Sequence, residues 1–213
     1  MSTHQIPFLS PSYAKHAKLY SYLILSLGLV TLILATISGS RAAYLDVKAL
    51  ASQWLMQRAW EDSLDNAEPA KPWSWADTKS TARLSYTLTE NSAQQSLIVL
   101  DNASGEAMAF GPGLVAGKLA NAASETIAVG GHRDTHLAFL EHANQQTRFE
   151  LQIVDGRTLH YRFEDSFVVD SGKEILQIAT DKPGLVLITC YPFNAMQTGG
   201  PLRLVTRARL VDT

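Results

Sequence analysis

The chain of 213 residues has a single cysteine, Cys190. One thiol excludes an intramolecular disulfide, a structural zinc site built on several thiolates, an iron–sulfur cluster and a CxxC redox pair. A packed thiol, an intermolecular bridge or a nucleophile remain. Strong charge of either sign is also missing. The 18 Lys and Arg against 20 Asp and Glu leave a net −2, without the basic face that phosphate-rich partners require. No internal repeat and no low-complexity tract interrupts the chain. The charge is uneven, however: residues 1–39 hold Lys15 and Lys18 and no acid, so residues 40–213 carry −4.

The length suits one membrane segment and one domain of ordinary size. Residues 19–40 form an uncharged run of 22 between Lys18 and Arg41. At 1.5 Å per residue it reaches about 33 Å, against a hydrocarbon core of about 30 Å. The run therefore reads as a transmembrane helix after a short cytoplasmic tail, 1–18. A cleaved signal peptide is the rival reading, but a signal's apolar region is shorter, about 7–15 residues. Lys15 and Lys18 precede the run, Arg41 and Lys48 follow it, and the acids beyond favour export of the C-terminal part. The expected location is the cytoplasmic membrane, with a single pass and the folded domain on the extracytoplasmic side.

Val47, Leu50, Ala51, Trp54 and Leu55 follow the i, i+3, i+4, i+7, i+8 spacing of an amphipathic stalk helix. Acids, alanines and two prolines between Glu61 and Trp75 read as a linker, so stalk and linker occupy 41–71 and the folded domain 72–213. Trp73 and Trp75 are expected to pack on that domain. Short strands are expected at 82–89, 96–100, 126–130, 147–154, 158–170, 185–190 and 203–212, with short helices at 137–144 and 173–179. The best-specified pair is a hairpin: Phe149, Leu151 and Ile153 alternate with polar residues, Asp155-Gly156 turns the chain, and Leu159, Tyr161 and Phe163 alternate again. The pattern is all-β with short helices, and it favours a closed or sandwich-like antiparallel sheet over a parallel βαβ one.

Chemistry-bearing residues gather at two strand ends, where rigid scaffolds place working side chains. Gly130-Gly131-His132-Arg133-Asp134-Thr135-His136 follows the strand TIAVG, and Cys190 ends the strand LVLITC. A lone cysteine there, with a histidine elsewhere, is the pattern of a thiol nucleophile and its proton partner. A buried, inert thiol fits the spacing equally well. If 185–190 and 203–212 are antiparallel neighbours, Cys190 and Arg203 meet at one rim, and an always-charged guanidinium there can hold an oxyanion. Arg207 and Arg209 lie further along and read as a solvated face. His132 and His136 have an HxxxH spacing that would suit zinc on a helix, but the Glu of HExxH is missing and a strand and Gly-Gly turn come first. His142 and His160 read as surface residues.

VLITC at 186–190, GHRDTH at 131–136 and an arginine 13 positions after the cysteine resemble the sortases, the cysteine transpeptidases of bacterial surfaces. PWSWADT at 72–78, ASGEAMAFGPG at 103–113, HRDTHLAFL at 132–140 and CYPFNAMQTGGPLR at 190–203 are similar to the class D-like, marine proteobacterial type. Val186 departs from the usual Thr of the cysteine motif, and the Ile-Pro segment of the first strand is not visible in 84–96. The resemblance implies an eight-stranded sortase β-barrel without cofactor. It implies a Cys190 nucleophile attacking an LPxTG-like sorting signal on a surface protein, His132 as general acid and base, Arg203 steadying substrate or oxyanion, and an amine acceptor that resolves the thioester. Thr189 would line the pocket, and a recognition loop would occupy about 171–184. The competing functions are a membrane-anchored β-domain that only binds, and a zinc hydrolase using His132 and His136.

Overall fold

The computed structural model describes residues 11–178, 182–196 and 199–211. The chain divides into two compact units, Met1–Leu50 and Ala51–Thr213. Helix α1, Pro11–Asn66, carries the chain from the first unit into the second. Within the first unit the side chains of the apolar run, from Tyr22 to Ile37, are exposed on the helix. Among the described residues no helix is long and apolar enough to cross a membrane. The side chains described without a break are those of 22–37, so the expected span 19–40 lies partly outside the described residues.

The second unit begins at Ala51, well before the boundary expected at 72. The last turns of α1 are part of the folded body, and the helix runs on to Asn66 where a linker was expected from Glu61. The face that docks also differs from expectation. Val47, Leu50 and Trp54 are exposed, whereas Met56, Ala59, Trp60 and Ser63 are buried. Ser63 ties this face to the body: its hydroxyl accepts the Ala70 N–H at 2.8 Å, and its proton is shared between the Ala59 carbonyl at 2.6 Å and the Ser80 carbonyl at 3.1 Å. Trp60 lies under the Arg83 guanidinium, 5.6 Å from its ring centroid. A wide indole and a bonded hydroxyl outweigh a stripe of apolar residues of correct period. Trp73 packs edge-on against Phe110 at 5.1 Å, while Trp75 is 80% exposed.

Eight strands follow: β1 Ser80–Thr87, β2 Gln95–Leu100, β3 Gly113–Ala116, β4 Thr126–Gly130, β5 Arg148–Ile153, β6 Thr158–Asp170, β7 Gly184–Cys190 and β8 Leu202–Leu210. They close into a barrel in the order β1-β2-β3-β4-β7-β8-β6-β5. Seven match the strands read from periodicity. The eighth, β3, is four residues long and was missed, because so short a run shows no period. The β5–β6 hairpin pairs Phe149 with Tyr161 and Leu151 with Leu159, and Gly156 takes φ +87° in its turn, the left-handed region open to glycine.

An entirely antiparallel sheet is not what forms. β4 and β7 run parallel from Thr126↔Gly184 to Gly130↔Ile188, and β2 touches β3 in parallel at Leu100↔Gly113. Barrel closure imposes this, because the open edge of β4 meets the chain only after the β5–β6 hairpin has been inserted. The interior holds Leu84, Ile127, Val129, Phe149, Leu151, Tyr161, Leu185 and Leu187. Burial pushes the Tyr161 hydroxyl up to about 12. The helix expected at 137–144 is a 3-10 turn, Ala138–His142. No helix forms over the described part of 173–179; a turn at 171–173 leads into chain without regular structure.

Candidate active site

β7 alternates two environments along one strand. Leu185, Leu187 and Thr189 face the barrel interior, while Val186, Ile188 and Cys190 face outward. The outward side is not bare: Val186, Val205 and Ala128 are buried there beneath Leu176, Ile178 and Ile188. Segment 171–178, within the stretch expected to be a recognition loop, therefore crosses the outer face of β4, β7 and β8. A cavity of about 140 Å³ lies between Leu176, Gln177 and Ile178 and the strands below. Ile175, the residue before Leu176, is 91% exposed.

Cys190 ends this outer row, half-buried, and stands directly opposite Arg203 on β8. The next backbone bond runs from the Tyr191 N–H to the Leu202 carbonyl at 3.0 Å. The 190–203 pair is thus a non-hydrogen-bonded one, in which the Cα atoms approach to about 4.5 Å and the side chains lie closest. The Arg203 guanidinium is aimed by two carbonyls of its own loop, donating to Gly200 at 2.5 Å and to Leu202 at 2.9 Å. Arg207 and Arg209 sit on the exposed face, as expected. Arg207 forms a bidentate pair with Asp165, one arm at 2.7 Å, and covers the Phe167 ring at 5.2 Å.

His132 reaches the same rim by the parallel ladder. Gly130 pairs with Ile188, so His132 and Cys190 each stand two residues beyond a paired position on neighbouring strands. The ladder continues one step past β4: the Gly131 N–H donates to the Ile188 carbonyl at 3.1 Å, and the Thr189 hydroxyl donates to the Gly131 carbonyl at 2.8 Å. Thr189, expected to line a pocket, is 2% exposed and points inward. Its hydroxyl holds the histidine loop against the cysteine strand instead. A Cβ on Gly131 would come within 2.9 Å of Leu137 Cγ, so the loop can press on the buried Leu137, whose N–H closes the turn on the His132 carbonyl at 3.0 Å.

Arg133, which the sequence reading passed over, is 9% exposed and donates to the Ala195 carbonyl at 2.9 Å. It clasps the loop after β4 to the loop after β7. A charged residue between two candidate site residues was the available signal; its burial was not legible. His136 is hydrogen-bonded by groups other than His132. Its Nδ1 lies 3.3 Å from the Thr135 hydroxyl and its ring is hydrogen-bonded to the Phe110 backbone. Burial, then the neighbouring His132, holds it below the usual histidine range. Among the described residues no group of three or more His, Cys, Asp or Glu is placed to hold a metal ion. His142 and His160 are at the surface, His160 3.6 Å from Glu150.

A half-buried thiol, an imidazole just beyond the neighbouring strand and a guanidinium opposite stand at one rim, a set of groups that can serve as nucleophile, proton carrier and anion holder. Residues 90–211 match the family model described as Sortase domain. No curated protein matches the chain in sequence. Among solved structures, a lid mutant of sortase A from Corynebacterium diphtheriae shares the fold at TM-score 0.51 and 20% identity, over 80% of this chain and 95% of that one. Sortase C from Clostridium perfringens, with its C-terminal cell wall sorting motif, is 18% identical over 79% of this chain and 91% of that one, TM-score 0.49. The catalytic domain of B. anthracis SrtD is 21% identical over 62% and 88%, TM-score 0.49. The family match spans more than half of the chain and the closed eight-stranded barrel agrees with it, so this protein belongs to the sortase family and is a cysteine transpeptidase.

Proposed function

We propose that the chain is a membrane-anchored sortase that cleaves an LPxTG-like sorting signal on a surface protein and passes its acyl group to an amine. Register supports the assignment of roles: Cys190 lies opposite Arg203, and His132 is level with it along the parallel ladder. The Cys190 sulfur attacks the scissile carbonyl carbon, and Arg203 holds the developing oxyanion. The C–N bond breaks as His132 protonates the leaving amine, which leaves a thioester on Cys190. An incoming amine gives a proton to His132, forms the new amide bond and expels the sulfur. The apolar run 19–40 would anchor the enzyme in the cytoplasmic membrane, with the domain outside. The class D-like assignment rests on the motif text quoted above.

The test is mass spectrometry of the chain incubated with an LPxTG peptide. A thioester adduct on the wild type and none on Cys190→Ala is expected. A wild type without adduct, or a variant that cleaves equally well, overturns the reading. Protease accessibility of the domain in intact spheroplasts tests the topology.

A further inference from the structure

The His132 loop is held at both of its ends by one short segment, Phe110-Gly111-Pro112, which precedes β3. At the start of the loop Pro112 lies against Gly131, where a Cβ would stand 3.4 Å from Pro112 Cβ. At its end the His136 ring donates a hydrogen bond to the Phe110 carbonyl. His132 stands between these two contacts. Its own carbonyl accepts the Leu137 N–H at 3.0 Å, so a shift of His136 is carried to it by the turn. The segment itself is fixed by its neighbours. The Phe110 N–H donates to the Ala107 carbonyl at 2.9 Å, the Leu100 N–H donates to the Pro112 carbonyl at 2.8 Å, and a Cβ on Gly111 would come within 2.8 Å of the Ile98 carbonyl.

The same carbonyl is reached from α1. Gln53 Nε2 donates to it at 3.0 Å, and a carbonyl oxygen has lone pairs for both donors. Met56, further along the helix, is 1% exposed and packs with Phe110, Leu100 and Ala107. Gln53 precedes residues 90–211, the part that matches the family model, so the family match does not account for this contact. We infer that the last turns of α1 position the proton carrier of the reaction: Gln53 and His136 share the Phe110 carbonyl, and through it the helix sets where His132 stands relative to Cys190. The inference rests on the transpeptidase reading above, which gives His132 its role. Gln53 and His136 are then positioning residues, and the second histidine of GHRDTH has a task that needs neither a metal nor a proton transfer. Burial and the neighbouring His132 disfavour its protonated form, which leaves a neutral ring with one N–H to donate.

The test uses the full chain in detergent with an LPxTG peptide. The rate of thioester formation at saturating peptide, the KM, and the ring-proton NMR signals of His132 and His136 are measured. Gln53 is exposed, so Gln53→Ala leaves the fold standing. It is expected to lower the rate about threefold with KM unchanged, and to move both ring signals. Gln57→Ala, one turn further on, removes a side chain that bonds Glu61 instead and is expected to change none of these. His136→Leu, which lacks the donor, is expected to lower the rate about tenfold, and His136→Gln, which keeps an N–H, to stay within about twofold of the wild type. The double variant Gln53→Ala with His136→Leu is expected to be no slower than His136→Leu alone, because Gln53 then holds a carbonyl that His136 no longer joins to the loop. Fully additive losses, an unchanged rate in Gln53→Ala, or a loss in His136→Gln as large as in His136→Leu overturn the inference. Absence of any thioester on the wild type overturns the transpeptidase reading, and the ring signals then decide separately: a His132 signal that moves in Gln53→Ala upholds the link to α1, and one that stays overturns it.

Discussion

The two faces of β7 share seven residues of backbone and little else. Inward, Leu185, Leu187 and Thr189 are closed off from solvent; outward, Ile188 packs in the cluster that holds Leu176 and Ile178, and Cys190 beyond it is half-buried. The strand's period of two lets one side be packed for stability while the other is left open for chemistry, and the rigid side fixes the position of the reactive one. Thr189 joins the two roles. It is buried among the inward residues, yet its bond to Gly131 sets where the histidine loop leaves the barrel.

Function depends most on the outer end of β7. Cys190→Ala removes the nucleophile from a half-buried site and is expected to abolish the thioester adduct with little change in the denaturation midpoint. Leu187→Ala does the reverse, costing about 2–5 kcal/mol of stability in denaturant titration. Ile188→Ala, next to it on the outer face, costs about 1 kcal/mol, and equal costs at the two positions would abolish the distinction. Thr189→Val leaves a buried carbonyl without its donor, costing about 1–3 kcal/mol. Displacement of the His132 loop then lowers turnover on the order of tenfold to a hundredfold, with the thiol still present to alkylating reagents.

Smaller effects sharpen the rim. The His136 imidazole is held below its ordinary value of 6.5. The unfolded chain therefore binds a proton that the folded chain refuses, and stability falls as pH drops below 6.5 toward the folded value. His136→Gln should flatten that part of the stability–pH curve, measured by thermal denaturation. Arg207→Ala breaks an exposed pair with Asp165, both side chains over 40% accessible, and is expected to cost at most about 1 kcal/mol, diminishing with salt.

Legibility followed the range of the interaction. The β5–β6 hairpin was readable because alternation and an Asp-Gly turn are local. The Cys190–Arg203 pairing was readable because the two strands are consecutive. The parallel β4–β7 pairing was not, since nothing in either strand names a partner across an intervening hairpin. The α1 docking face misled for the same reason: Val47, Leu50 and Trp54 keep helical period, but the sockets that receive Met56 and Trp60 belong to distant chain. Arg133 had no assigned role because its burial depends on the loop after β7, whose Ala195 carbonyl it bonds.

By itself the sequence determined that there is one possible thiol nucleophile, that it ends a strand, that a histidine follows an earlier strand, and that an arginine starts the next one. These are matters of residue identity and short-range pattern. Only the tertiary structure decided that the two strand ends stand level, that the outward face carries the thiol, and that Thr189 and Arg133 hold the loops. Closure of the barrel sets those relations, because it fixes strand neighbours and register through contacts between residues far apart in the chain.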